Sequence, residues 1–341
     1  MRRSGRRPRA LRANGVDADV VATTEPDARG YDVAHVFGIF DPDFAAPQLR
    51  ALRACGVPVV VSPIWWDRTA VFTIDPHLRR ALSQRDAQRA RRSVERVRER
   101  EGALCRTPGR GALRRRDEQA RLLQLADCVL PASEIEGSAY ANVLHAAELP
   151  AVVAKYGVDA EAFAPHSAEP RAGVVCVGRI ETLKNQAMLL LALHDLDIDV
   201  TLVGRSYDPA YLALCRRWAT PRTRFVDVLD DEALRALLAR SAVHVLPSWG
   251  DLPGFASLEA ACSGARVVAG TRGSEREYLG PDAGYADALD VDGIRRATMR
   301  ALAAPARTRD DALDARMREL TWERAARSTL DAYRRAVAAR A

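Results

Sequence analysis

Lysine is nearly missing from this 341-residue sequence: of 51 basic residues only Lys155 and Lys184 are lysines, and the rest are arginine. Long apolar runs are missing too. No stretch of about 18 apolar residues occurs, so no membrane-spanning helix is expected. Residues 1–14 are rich in arginine, with no apolar stretch behind them that could act as a secretory leader, which predicts a cytoplasmic protein. Aromatics make up 6% of the chain against 48% apolar overall, so its cores should be built from Ala, Val and Leu rather than from rings. The cysteines Cys55, Cys105, Cys128, Cys176, Cys215 and Cys262 form no CxxC pair and no Cys/His cluster at ligand spacing. Neither a disulfide framework nor a metal site is expected.

What is present is a long, mixed chain of ordinary globular composition, large enough for two domains. The 51 basic and 45 acidic residues are largely interleaved, and a net charge of +6 is too modest to predict a nucleic-acid partner. The arginine bias is more simply a coding habit.

Between residues 19 and 61 short β-type runs (19–21, 32–36 and 57–61) alternate with helical ones, which predicts βα units and a parallel sheet. An arginine-rich helix is expected over 76–102, a turn over 106–111, a helix over 117–126 and a strand at 128–130. The second half restarts the alternation more clearly. Strands are predicted at 173–178, 200–204, 224–227, 243–246 and 266–269, with helices at 185–193, 231–240 and 258–262. Two α/β units joined near residues 163–171 follow. After residue 310 the chain is helical, and Trp322, Ala326, Leu330, Tyr333 and Val337 fall on one face.

Two constellations carry chemistry. The strand ending at Gly178 is followed by Arg179 and, five positions on, Lys184, just before a helix. Ligands collect at the carboxyl ends of parallel strands, and a helix N-terminus favours anions, so two cations there suit a diphosphate. Each could contribute up to a few kcal/mol, taking about 4 kcal/mol for unit charges 4 Å apart at an effective dielectric near 20. In so arginine-rich a chain both also fit surface charges on a loop, although a lysine here suggests that a compact ammonium is wanted. The second constellation runs from Leu246 through a Gly/Pro loop into a helix beginning near Ser257, with Asp251 and Glu259 separated by seven residues. An acid at the helix end can accept both hydroxyls of a ribose, and one on the loop can reach the hydroxyls of a sugar. Solvation and dipole matching fit the same two acids.

From about residue 157 to 333 the sequence resembles the family-4 (group 1) glycosyltransferases of the GT-B fold. The residues that carry the likeness are Gly178-Arg179, then Lys184-Asn185, the Leu202-Val203-Gly204 strand, Phe225-Val226 with Leu229, Leu246-Pro247-Ser248, and the two acids followed by Ala260 and Gly264. Gly157-Val158-Asp159 with Phe163 resembles the family's link between domains. The resemblance implies an α/β protein of two Rossmann-like domains: 1–165 on the acceptor side and lacking its first strand, 166–320 binding the donor, and 321–341 as a helix returning to the first domain. It also implies a retaining, metal-independent transfer from a nucleotide-diphosphate sugar to an acceptor hydroxyl in cell-envelope or exopolysaccharide synthesis, with no cofactor. Arg179 and Lys184 would neutralise the departing diphosphate. Glu259 would hold the ribose, and Asp251, where the family has Glu, would face the donor sugar. Gly254, Phe255, Ala256 and Ser257 would line the donor, and the backbone from Val226 to Leu229 would contact the base.

The sequence departs from that pattern at its start, where no glycine-rich loop precedes the helix ending in Gly15, and at Pro63-Ile64-Trp65-Trp66-Asp67, where a family histidine often stands. His35 is then the nearest candidate for a polar group facing the cleft, and a partly buried strand histidine is the alternative. Residues 89–100 offer a basic helical face for a lipid-linked acceptor or the inner face of a membrane, while Glu95, Glu99 and Glu101 fit a solvated helix. A degenerate relative that binds nucleotide sugars without turnover is the rival reading.

Overall fold

The computed structural model describes residues 6–164, 170–307 and 311–340. In chain order its first half contains α1 (Arg6–Ala13), β1 (Ala34–Phe37), α2 (Pro42–Cys55), β2 (Val59–Ser62), α3 (Thr69–Leu82), α4 (Ala87–Glu99), α5 (Glu101–Leu104), α6 (Arg110–Leu123), β3 (Cys128–Val129) and α7 (Glu134–Val143). The second half continues with β4 (Ala172–Val177), α8 (Gln186–Leu193), β5 (Val200–Val203), α9 (Pro209–Trp218), β6 (Thr223–Val226), α10 (Asp231–Arg240), β7 (Ser241–Leu246) and α11 (Phe255–Cys262). It closes with β8 (Arg266–Gly270), α12 (Glu275–Leu279), β9 (Gly284–Ala286), α13 (Val291–Ala303), α14 (Ala312–Glu319) and α15 (Trp322–Ala338).

These elements divide into two compact units. Unit 1 takes Met1–Asp67, Pro108–Gly157 and Leu320–Ala341, and unit 2 takes Arg68–Thr107 and Val158–Glu319. Unit 1 is built on a three-stranded parallel sheet in the order β1-β2-β3. Val36, Val59, Val61 and Val129 meet Leu49, Leu52, Leu122 and Leu123 of the covering helices in its core. The C-terminal helix α15 packs on α1, with Ala326 against Ala10 and Leu11. The expected returning helix therefore belongs to this unit. Val337, placed on its apolar face by spacing, is exposed instead; Ala325, Thr329, Ala332 and Ala336 are buried, so the packed face is lined by small side chains that let the helix approach closely.

Residues 19–21 form no strand. Val20 and Val21 are both solvent-exposed, and a short β-type run with no neighbouring strand to pair with and no face to bury has nothing to hold it extended. The helix expected over 76–102 is divided among the end of α3, α4 and the start of α5. Asp86 breaks the run and caps α4, its carboxylate accepting from the Arg89 N–H at 2.8 Å.

Unit 2 carries a six-stranded parallel sheet in the order β6-β5-β4-β7-β8-β9. Chain order reverses between β4 and β7: β5 and β6 lie on one side of that pair, and β8 and β9 on the other. After β4 and β7 the chain therefore proceeds towards opposite edges of the sheet, and in sheets of this kind ligands bind at the carboxyl ends of such a pair of strands. Helix α8 is buried on all sides, every residue from Gln186 to Leu193 being withdrawn from solvent, which is what a helix apolar all round requires.

The segment 68–107 is the largest departure from the sequence reading, which places it in the first domain. Its apolar residues Val71, Ile74, Leu78, Leu82, Ala90 and Val94 share one core with Val174, Leu189 and Trp218 of unit 2. The indole of Trp218 donates to the Leu82 carbonyl at 3.0 Å. On α4, Arg91 and Arg98 of the expected basic face pair with Asp292 and Asp290 of the same unit.

Candidate active site

Burial of β4 and β7 sets where their loops begin, and the loops bring Lys184 and Asp251 together at the carboxyl edge of the sheet. Asn185 adopts a left-handed backbone, φ +62°, and its buried amide donates to the carbonyls of Pro247 at 3.0 Å and Ala288 at 2.7 Å. The N–H of Trp249 donates to the Leu183 carbonyl at 2.9 Å. These bonds hold the β4 loop against the β7 loop, and between them Lys184 forms an ion pair with Asp251. Arg179 is largely exposed and lies 3.0 Å from Glu181.

Glu275, at the start of α12, is a member of this group that sequence reading did not find. It is 1% exposed, and its carboxylate accepts from the Ser248 hydroxyl at 2.8 Å. One carboxyl oxygen of Glu275 and one of Asp251 are buried without a hydrogen-bond partner. The Asp251 carbonyl accepts from the Ser274 N–H at 2.9 Å, which ties the two loops. Gly273 makes the approach feasible: a Cβ there would lie 2.1 Å from the Glu275 carboxylate and 2.4 Å from the Asp251 nitrogen. Burial, and then the charge of Asp251, push the Glu275 carboxyl well above the usual carboxylate range. In sequence its signal is only an acid in the first turn of a short helix, which is also what dipole matching gives.

The remaining expected donor residues belong to the same unit. Val226 ends β6 and pairs in register with Val203, and Leu229 sits in the following loop. Gly254 begins α11 with φ +78°, and Phe255 and Ala256 are half-buried beside it. Ser257 is buried, 3.5 Å from His244, whose pKa burial pushes down to about 3. Glu259, 5% exposed, lies on the buried face of α11.

His35 lies in unit 1, on β1. Its Nδ1 is 3.0 Å from the Tyr333 hydroxyl and its Nε2 3.0 Å from the Ser62 hydroxyl. Desolvation and the charge of Arg7 hold its pKa well below the ordinary value. Both ring nitrogens are thus engaged inside unit 1, as in a packed strand histidine. Nearby, Trp65 is buried, with its N–H donating to Glu136 and its indole to Gln119, both at 2.8 Å. The tryptophan pair that stands where the family often has histidine therefore includes one packing residue.

Residues 171–304 match the family model described as glycosyl transferases group 1. That stretch, 134 of the 341 residues, is similar to the group 1 glycosyltransferase domain. Over 199 residues the chain is 28% identical to an MMP α-(1→4)-mannosyltransferase of Mycolicibacterium hassiacum, a match covering 54% of this chain and 48% of that protein. The chain thus spans about half the length of the curated relatives it matches. Among solved structures, sucrose-phosphate synthase of Thermosynechococcus elongatus superposes with a TM-score of 0.68 at 19% identity, covering 89% of this chain and 73% of that one. A UDP-forming α,α-trehalose-phosphate synthase of Burkholderia xenovorans, solved with glucose-6-phosphate, follows at 0.62 and 13%, covering 89% and 74%. The fold is that of the GT-B glycosyltransferases, with two Rossmann-like units.

Proposed function

We propose that this chain is a glycosyltransferase whose donor is a nucleoside-diphosphate sugar held in unit 2, at the loops after β4 and β7. The observation that carries the reading is the Lys184–Asp251 ion pair at the reversal of strand order, beside Arg179. A diphosphate entering there meets Lys184, next to the bonds that join the loops, and Arg179, exposed on the β4 loop. Transfer breaks the bond from the anomeric carbon to the diphosphate oxygen and makes one to an acceptor oxygen, and negative charge grows on the leaving diphosphate. Arg179 and Lys184 offset that growth, which is the role a divalent ion has in other transferases. Glu259 would take the ribose hydroxyls, Asp251 would turn from Lys184 towards the sugar, and residues 226–229 would meet the base. Family resemblance supports retention of configuration and a sugar or lipid-linked acceptor in envelope synthesis, with the arginines of α4 as the face nearest to a headgroup. No helix among the described residues is long and apolar enough to cross a membrane.

One observation favours the rival reading of a binding subunit without turnover: Asp251 is shorter than the family's Glu and is committed to Lys184 in the free protein. Calorimetry with UDP-, GDP- and ADP-sugars, followed by donor-turnover assays with sugar and lipid-linked acceptors, separates the two. Turnover that disappears in Lys184→Ala and Glu259→Ala supports the enzyme. Binding without turnover on any acceptor assigns the binding role, and unchanged affinity in both variants removes the site.

A further inference from the structure

Three cations, not two, converge on the acids of this site. Arg68 stands at the N-terminal end of α3 and makes no side-chain cap to its own helix. It is half-buried and lies within electrostatic reach of Glu181, Arg179 and Asp251. Helix α3 is fixed to the β4 loop by a compact ionic clamp. Asp75 accepts from Arg79 at 2.8 Å and from the Thr182 hydroxyl at 2.8 Å, while Arg79 also donates to Thr182 at 2.9 Å and to Asp208 at 2.6 Å. Thr182 is two residues before Lys184, so the clamp sets the start of α3 and the cationic loop in one frame. The apolar face of α3 is buried in the core that also holds Ile180, at the base of that loop.

Charge bookkeeping then favours an anion. Arg68, Arg179 and Lys184 face Glu181 and Asp251, and Glu275 is held towards its neutral form by burial. Among these groups positive charge is in excess, and Arg68 is a partly desolvated guanidinium pushed below its ordinary pKa by that burial and by Arg179. A fork of fixed geometry so placed suits phosphate oxygens.

We propose that Arg68 is a third cation for the donor, contacting the diphosphate beside Arg179 and Lys184 and holding it more tightly as it leaves. The proposal rests on the donor-site reading above. A nucleoside-diphosphate sugar carries two negative charges and the free diphosphate close to three, so a third cation acts more strongly on the departing group than on the bound donor.

The test is calorimetry of the full chain with UDP, GDP and ADP and with the matching monophosphates, on the wild type, Arg68→Ala, Arg68→Lys and Lys184→Ala. Arg68→Ala should lower affinity for the preferred diphosphate about tenfold or more while changing that for its monophosphate less than about threefold, and Arg68→Lys, which keeps the charge but not the fork, should restore part of the loss. The dependence of diphosphate affinity on salt should weaken in Arg68→Ala. If Arg68→Ala binds the diphosphate like the wild type while Lys184→Ala does not, Arg68 has no part in the site and the donor-site reading stands. Equal losses for mono- and diphosphate, with no rescue by lysine, would mean that Arg68 only supports the fold. Failure of the wild type to bind any diphosphate, or full binding by Lys184→Ala, sinks the donor-site reading and this proposal with it.

Discussion

Lys184 and Asp251, 67 residues apart in sequence, meet as an ion pair whose side chains are 19% and 14% exposed. The pair neutralises a cation that the proposed reaction needs for phosphate. Asp251→Asn should therefore act in opposite directions on two measurements. Stability should fall by about 2–4 kcal/mol, because removing one partner of a buried pair leaves the other charge uncompensated. Affinity for a nucleoside diphosphate should rise, because Lys184 no longer has to exchange a carboxylate for the ligand. Chemical denaturation and calorimetry on the same preparation check both, and weaker nucleotide binding would show that Asp251 positions Lys184 rather than competing for it.

Glu275 makes stability depend on pH. Its folded pKa is raised above the ordinary 4.5, so the folded chain keeps a proton that the unfolded chain has already lost. The contribution is whole below about pH 4.5 and is lost as pH rises towards the folded pKa, at up to about 1.4 kcal/mol for each unit between the two. Glu275→Gln should decline less steeply than the wild type, by the share that Glu275 contributes. The comparison is clean because Glu136, also raised by burial to about 7, is common to both proteins. Thermal melts of the pair at intervals from pH 5 to 8 should diverge, with the variant gaining on the wild type as pH rises; parallel curves would place the charge of Glu275 elsewhere.

The clamp between α3 and the β4 loop should be separable from the chemistry. Thr182→Val removes the hydroxyl that joins Asp75 and Arg79, at a cost of about 1–2 kcal/mol. Nucleotide affinity should drop with it, although Thr182 touches no ligand in the proposed site, because the cationic loop loses its register against α3. A variant with lowered melting temperature and unaltered affinity would mean that the loop holds its shape without the clamp.

Gly204 follows β5 with φ +145°, and a Cβ there would lie 2.1 Å from the Gly178 carbonyl oxygen. The obstacle is backbone, not a flexible side chain. Gly204→Ala should cost at least about 2–3 kcal/mol and displace the Gly178-Arg179 turn. Hydrogen exchange of residues 174–184 should quicken in this variant more than that of unit 1.

The sequence was most legible where two signals coincided. Strand alternation and loop chemistry agree from Gly178 to Glu259, so Arg179, Lys184, Asp251 and the start of α11 follow the carboxyl ends of β4 and β7 as expected. Legibility failed where only one signal existed. Val71, Ile74 and Leu78 announce an apolar helix face, but periodicity does not name the surface that will cover it, and that face joins the core of unit 2, where α9 packs on α3. Arg68 was hidden for the same reason, among 49 arginines of which most are surface charges. At residues 19–21 the β-type run has no partner strand, and pairing is what makes a strand.

The excursion of residues 68–107 into unit 2 has a consequence for how the chain is made. The described chain passes between units after Asp67, Thr107, Gly157 and Glu319. As residues emerge from the ribosome, α3 is complete about 90 residues before β4, the strand whose core it joins, so its apolar face must wait exposed or pack provisionally. Unit 1 closes last, when α15 arrives to cover α1. A nascent chain stopped near residue 160 would therefore hold neither unit complete, and neither can be released by a single cut.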